Sequence, residues 1–307
     1  MRQEKKVILL AGPTASGKSK LAIKLARGFN GEIINADSMQ IYKEISLLTS
    51  KPDLKDTKMV KHHLYGFLSV KKNFSTGDWL NVVIKKIEDQ WRRGKTPIVV
   101  GGTGLYFKAL TEGLVKIPNI PYKVRKDVRK LHKKIGQTNF FKRLTKLDPV
   151  AGKFISPQDK QRSMRAYEVK SFTKKSLFDF RKETKSNFNN KVFKKLFIDI
   201  PREILNIKIE KRVEKMFMNN AASEVKKFYK MKVNSELSSN KIIGIKEIKQ
   251  YLSGSITLIR TKELIIQKTR QYAKRQFTWS RGHMKSWEKI YSSNINDLFN
   301  KAINKIS

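Results

Sequence analysis

Cysteine is absent from all 307 residues, which excludes a disulfide framework, a zinc ribbon or finger, an iron–sulfur centre and a thiol nucleophile. Any bound metal must therefore take oxygen ligands, which favours Mg2+ over Zn2+. Long apolar runs are also missing. The first apolar stretch, Val7 to Ala11, is too short for a signal-peptide core or a membrane span, so a soluble, cytoplasmic protein with no membrane partner is expected. Acidic residues are scarce, with 26 Asp+Glu against 67 Lys+Arg, for a formal charge of +41.

Hydrophobic residues make up 39% of the chain and aromatics 10%, enough to bury a core, so the charge does not imply disorder. The length allows one large domain with an appended piece, or two domains. A charge of this size favours a polyanionic partner, nucleic acid before a membrane surface. Lys, Ile and Asn are abundant together, as in proteins from AT-rich genomes, so compositional bias competes with function as the source of the lysines and motifs have to decide.

Short apolar runs alternate with amphipathic stretches over the first hundred residues. Lys6 to Ala11, Glu32 to Ala36 and Pro97 to Val100 read as buried parallel strands, and helical spacing follows through Leu21, Ala22, Leu25 and Ala26, and again through Leu105, Ala109 and Leu110. From Pro118 basic residues crowd in and helical spacing takes over, until Lys195 to Ile200 restores a strand-like run. This predicts an α/β fold in which residues 118–190 form a helical insertion and residues 1–117 and 191–307 form the core. After Pro201 the pattern reads as helical to the end, with Ile204, Ile207, Val213, Met216 and Phe217 as one stripe and a long periodic segment at 261–280. Residues 174–195 are Lys/Asn-rich and read as a loop.

Gly12-Pro13-Thr14-Ala15-Ser16-Gly17-Lys18-Ser19 satisfies G-x-x-x-x-G-K-[ST] between a strand and a helix. In such a loop backbone N–H groups and a helix N-terminus surround phosphate oxygens, the lysine adds a full charge, and the Ser19 hydroxyl can ligate Mg2+. The loop by itself says only that the ligand is phosphorylated; kinases and NTPases use it too. Asp37 and Thr103 follow the second and third strands, and ligands of open parallel sheets lie beyond those carboxyl ends. Asp37 could act on a ligand, cap a helix or ligate Mg2+, and Thr103 could act on a ligand or cap the helix of Leu105. Asp199 reads as structural. The adjacent His62 and His63 point apart, which suits packing or capping better than a metal pair.

Several blocks together resemble the tRNA dimethylallyltransferases. They are Gly12 to Ser19, Asn35-Ala-Asp-Ser-Met-Gln-Ile-Tyr42, His62-His-Leu64, Gly101-Gly-Thr-Gly-Leu-Tyr106, Asp148-Pro149, Gln161-Arg-Ser-Met-Arg-Ala166 and Thr269-Arg-Gln-Tyr-Ala-Lys-Arg-Gln276 with Thr278-Trp279. They span roughly residues 6–281. The resemblance implies a P-loop, nucleotide-kinase-like parallel sheet with a helical insertion and a helical C-terminal region, in a monomer. It also implies transfer of a dimethylallyl group from its diphosphate to N6 of the adenosine 3′ of the anticodon in tRNA, with Mg2+ assisting and the phosphate loop holding diphosphate rather than a nucleotide.

By the same resemblance Asp37, Thr103 and Lys18 carry the chemistry, and Gly12 to Ser19 hold the diphosphate. The expected tRNA contacts are Asp37, Ser38, Met39, Gln40, Thr103, Arg125, Gln161, Arg162, Ser163, Met164, Arg165, Arg270, Lys274 and Arg275. Cations interleaved with Tyr272, Phe277 and Trp279 suit the unstacked bases of an anticodon stem-loop. A P-loop kinase or NTPase acting on nucleic acid or a nucleotide is the alternative enzyme, and a non-catalytic RNA-binding protein is the alternative without chemistry. The chain departs from the family pattern at Glu44 and Leu48, where glycine is usual, and at Lys174 (glycine), Ile245 (tyrosine) and Ser280 (a bulkier residue).

Overall fold

The computed structural model describes residues 5–182 and 184–306. The chain runs β1 (Val7–Ala11), α1 (Lys18–Gly28), β2 (Gly31–Asn35), α2 (Leu54–Met59), β3 (His62–His63), α3 (Thr76–Arg92), β4 (Thr96–Gly101) and α4 (Gly104–Glu112). Four helices follow, α5 (Tyr122–Leu147), α6 (Pro149–Phe154), α7 (Lys160–Thr173) and α8 (Leu177–Lys182). The chain closes with β5 (Phe193–Ile198), α9 (Arg202–Met218), α10 (Ala221–Lys230), α11 (Ile245–Leu252), α12 (Leu258–His283), β6 (Glu288–Ile290) and α13 (Ile295–Ile306). Two compact units result, residues 112–186 and the remainder.

In the larger unit the strands form one sheet in the order β3-β2-β4-β1-β5-β6, and every described pairing is parallel. Central β1 sets Leu10 beside Val100 on one side and Leu196 on the other. All five of its residues are buried, as a strand covered on both faces requires. Leu21 and Leu25 of α1 and Leu298, Ala302 and Ile306 of α13 pack in the same core as Ile8 and Leu10; full burial of each large aliphatic contributes about 1.5–3 kcal/mol. A second cluster joins Ile41, Tyr42, Ile45 and Leu48 to Val213 of α9, Phe228 of α10, Ile248 of α11 and Ile265 of α12, which brings the C-terminal helices beside the segment that follows β2.

The smaller unit packs Leu144, Ala151, Ile155 and Ala166 together. Gly136 breaks α5 with φ 72°, and Asp148 caps α6 by accepting the Ala151 N–H at 3.1 Å. Lys174 ends α7 in the left-handed region, φ 63°, where glycine is the least strained residue.

Three expectations are corrected. The region after Pro201 is not wholly helical, because Glu288–Ile290 adds β6 beside β5. The Lys/Asn-rich segment contains α8, whose Leu177 and Phe178 pack on the cluster of the smaller unit. Of the α9 stripe, Val213 is buried and Ile204, Met216 and Phe217 pack on the core clusters, but Ile207 is 52% exposed, and Leu205 and Ile209 are buried in its place. His62–His63 forms the short edge strand β3, too brief to carry any alternation. Its side chains take structural partners, as expected: His63 Nε2 donates to the Glu32 carboxylate at 2.6 Å and His62 Nδ1 to the Val60 carbonyl at 2.8 Å. Asp199 lies 3.7 Å from Lys289, an exposed ion pair.

Candidate active site

The phosphate loop occupies the turn from β1 into α1. Gly17, at the helix N-cap, has φ 91°, a conformation open to glycine, and Ala15 is also left-handed at φ 61°. Lys18 folds back so that its Nζ donates to the Pro13 carbonyl at 3.0 Å. Burial pushes its pKa down to about 8; Asp37 opposes that shift and Arg212 adds to it. The Ser16 hydroxyl is buried without a hydrogen-bond partner. Gly12 and Pro13 are buried beneath the loop, whereas Thr14 to Ser19 line the cleft.

Asp37 is aimed by the end of β2. The fully buried Asn35 accepts the Asp37 N–H at 2.8 Å and donates to the carbonyls of Asp37 and Leu64 at 3.0 Å. Trp79 of α3 donates to the Asn35 carbonyl at 2.9 Å and stacks on Tyr106 of α4, with centroids 4.3 Å apart. Asp37 Oδ1 accepts the Met39 N–H at 2.9 Å. The carboxylate therefore closes a local turn and does not cap a helix. Thr103 Oγ1 accepts the Ser38 N–H at 3.0 Å and donates to Ser38 Oγ at 3.3 Å. The hydroxyl thus ties the ends of β4 and β2 together and does not cap α4. Gly101 permits this approach, since a Cβ there would lie 2.0 Å from the Ala36 carbonyl.

Asp37, Met39 and Gln40 line one cleft of about 670 Å³ with Thr14 to Lys20 and with Lys208, Arg212, Tyr272 and Arg275 of the C-terminal helices. A cleft of this size suits a small-molecule ligand. Arg212 of α9 donates to Thr14 Oγ1 at 2.5 Å and to the Leu48 carbonyl at 3.2 Å; burial lowers its pKa, against the pull of Asp37 and Tyr272. Burial, reinforced by the Asp37 charge, raises the phenol pKa values of Tyr65, Tyr106 and Tyr272 well above normal. These phenols remain neutral hydrogen-bonding groups.

The loop lacking the family glycines follows a definite course. Glu44 accepts the Val70 N–H at 3.0 Å, and Glu224 of α10 accepts the N–H groups of Ser46, Leu47 and Leu48 at 2.6–3.1 Å. Leu48 packs against Gly244, where a Cβ would meet its Cδ2 at 2.6 Å. Lys51 Nζ donates to the carbonyls of Tyr42 and Lys43, and Gln40 Nε2 to those of Thr49 and Ser50. The loop is thereby held by side chains where glycine would have permitted a freer backbone.

Of the predicted RNA contacts on α12, Arg270 and Lys274 are exposed, and Arg270 pairs with Glu210. Arg275 lines the cleft and lies over the Tyr272 ring at 5.7 Å. In the smaller unit Gln161 and Arg162 are exposed and Met164, Arg165 and Arg125 half-buried. Arg162 pairs with Asp159 at 3.4 Å and Arg165 with Glu168 at 3.3 Å. Ser163 has no exposed surface and is 3.3 Å from Gln137 Nε2. It faces the interior because its position on α7 falls on the Ala166 side of the helix.

Sequence reasoning passed over Arg212, Gln276 and Tyr65, and named Tyr272 only as a surface for RNA bases. No local pattern marks Arg212, which shares its helix with Lys208, Lys211 and Lys215. Gln276 stands in a quoted block, but a lone amide on a basic helix signals nothing until the fold brings it to the phosphate loop.

The sequence profile of the family described as IPP transferase matches residues 40–283. A tRNA dimethylallyltransferase of Pelagibacter ubique is 54% identical over 94% of this chain and 93% of its own length, and one from Rickettsia felis is 42% identical over 90% of each. Among solved structures, a eukaryotic dimethylallyltransferase described as acting on tRNA superposes with a TM-score of 0.84 at 29% identity, over 98% of this chain and 77% of that one. A full-length tRNA isopentenylpyrophosphate transferase from Bacillus halodurans gives 0.70 at 28% identity, over 99% and 97%.

Proposed function

The chain belongs to the IPP transferase family, and on that premise we propose how its residues divide the transfer of a dimethylallyl group from dimethylallyl diphosphate to N6 of the tRNA adenosine 3′-adjacent to the anticodon. The observation that carries the assignment is that the phosphate loop, Lys18, Arg212 and the Asp37 carboxylate share one cleft.

The diphosphate takes the N–H groups of Ala15, Gly17, Lys18 and Ser19, with Lys18 and Arg212 as its cations, while the Thr14 N–H is held by Gln276. The C1–O bond breaks with its electron pair going to the diphosphate, whose growing charge those groups stabilise. N6 of adenine forms the new bond to C1, and Asp37, holding one amine hydrogen, accepts the proton that N6 loses. Thr103 fixes the end of β2 through Ser38 and so orients Asp37. A tyrosine-rich wall, Tyr65 and Tyr272, excludes water while keeping neutral hydrogen-bonding groups at the base.

Among the described residues no cluster of three or more His, Asp or Glu side chains could hold a metal, so any ion must take most of its ligands from substrate and water. The Ser19 hydroxyl beside the phosphate loop fits that requirement as the one protein ligand of Mg2+, a hard ion that keeps several waters. When bound, Mg2+ would neutralise part of the diphosphate charge.

On the RNA side, Ser38, Met39, Gln40 and the exposed cations Arg162, Arg270, Lys274 and Arg275 hold the anticodon stem-loop, with Arg125, Gln161, Met164 and Arg165 as further contacts, and the target base flips out of its stack. No described helix is long and apolar enough to cross a membrane; the enzyme acts as a cytoplasmic monomer. Incubation with labelled dimethylallyl diphosphate and tRNA bearing adenosine at the target position places label in the RNA. Folded protein that labels none of several such tRNAs refutes the assignment.

A further inference from the structure

We propose that Gln276 is a positioning residue of this transfer: its side-chain amide fixes the phosphate loop against the strand end that leads to Thr103. Gln276 lies on α12 and is 8% exposed. Its Oε1 accepts the Thr14 N–H at 2.9 Å, and its Nε2 donates to the Gly102 carbonyl at 2.9 Å. One amide thus serves a donor on one loop and an acceptor on the other. Rotating it by half a turn would set N–H against N–H and oxygen against oxygen, so the two loops dictate its orientation. The amide also sits where a Cβ on Gly102 would come within 2.1 Å of Nε2. Glycine at 102 is what lets the bridge close.

The two loops joined here serve opposite halves of the reaction. Thr14 belongs to the diphosphate cradle, and its hydroxyl is already held by Arg212. Gly102 precedes Thr103, which holds Ser38 beside Asp37. The distance between the leaving group and the attacking amine depends on the separation of these loops, and small errors in such a distance cost large factors in rate. Gln276 does not line the cleft; it acts through the backbone of Thr14 and Gly102. The adjacent Arg275 lines the cleft, so one turn of α12 bears both a cleft cation and the bridge.

The proposal rests on the assignment of the cleft above, and wild-type turnover in the same assay separates the two: a wild-type enzyme without activity refutes the assignment, not Gln276. Gln276→Met keeps side-chain length and removes both hydrogen bonds. Gln276→Glu keeps an acceptor for Thr14 and makes the Gly102 contact repulsive. Both are compared with wild type for kcat, KM for dimethylallyl diphosphate, tRNA Kd measured without diphosphate, and thermal midpoint. The expected result, at a temperature where each variant is folded, is a fall in kcat of at least threefold in both and a tRNA Kd within twofold of wild type. A folded Met variant that keeps more than a third of wild-type kcat, or a loss carried entirely by tRNA affinity, overturns the proposal; a residue that only braced the fold would lower the midpoint and leave kcat intact. If the Met variant does not fold, Gln276→Asn, with the same amide one methylene short, is judged by the same criterion.

Discussion

Replacing Asp37 by asparagine isolates its charge from its structural work. The Asp37 side chain closes the turn through one oxygen, which accepts the Met39 N–H at 2.9 Å, and the backbone N–H is held by Asn35. An asparagine oxygen can accept the same Met39 N–H, so stability is expected to change by less than about 0.5 kcal/mol, as for other substitutions that preserve the local bonds. The variant loses the negative charge that draws the amine hydrogen and the oxygen that takes the proton. General-base catalysis contributes about 10²–10⁴-fold, so the expected barrier increase is about 2.7–5.4 kcal/mol at about 1.36 kcal/mol per decade. Lys18 and Arg212, both influenced by the Asp37 charge, should hold diphosphate no more weakly once that charge is gone. Single-turnover transfer, with tRNA affinity measured separately, reads the two effects apart. A rate loss below tenfold, or a loss of tRNA affinity equal to the loss of rate, refutes the role given to Asp37.

Three further outcomes are expected. Burial holds Lys18 to about 8 in the free protein, so the ammonium needed for diphosphate is lost as pH rises through that value; kcat/KM for dimethylallyl diphosphate should decline above about pH 8, a limb that a profile flat to about pH 9.5 would exclude. Glu32 is held down at about 2, chiefly by hydrogen bonds from Arg93 at 2.7 and 2.9 Å and then by His63. Its stabilisation is therefore present above the unfolded carboxylate range and is lost as pH falls toward 2; Glu32→Gln should cost about 1–3 kcal/mol at neutral pH and flatten the acid limb of a denaturation series, and an unchanged limb would exclude it. Lys274→Ala should weaken tRNA binding and reduce the slope of log affinity against log salt by about 1; an unchanged slope would make Lys274 a bystander.

The phosphate loop was legible because its function constrains consecutive residues: Gly17 must turn at positive φ and Lys18 must reach back over the loop. The strand-end positions of Asp37 and Thr103 were legible for a related reason, since each follows a short apolar strand and parallel sheets place their ligands at that edge; Asp37 lines the cleft, and Thr103 is not among its lining residues. The short strand β6 and helix α8 were not legible. Three residues of Glu-Lys-Ile form β6 only because β5 offers an open edge to Glu288–Ile290, and α8 is held by packing of Leu177 and Phe178 inside a segment whose composition reads as loop. The α9 stripe was legible except at Ile207, which is exposed, and at Leu205 and Ile209, which are buried without having been read. Apolar spacing marks a helix, but the neighbours that α9 packs against decide which residues face inward.

By itself the sequence determined the residue types that run in continuous blocks: the phosphate-loop motif, the strand-end carboxylate and hydroxyl, the basic α12 and the absence of any thiol. Those blocks were also enough to place the chain by resemblance in its family. The tertiary structure alone decided what meets across long separations. Arg212 lies 198 residues from the Thr14 hydroxyl it donates to, Gln276 lies 262 residues from the Thr14 N–H it accepts, and Glu224 holds a loop 176–178 residues away. A hydrogen bond depends on a position in space, and no local pattern records it until the sheet and the C-terminal helices have packed.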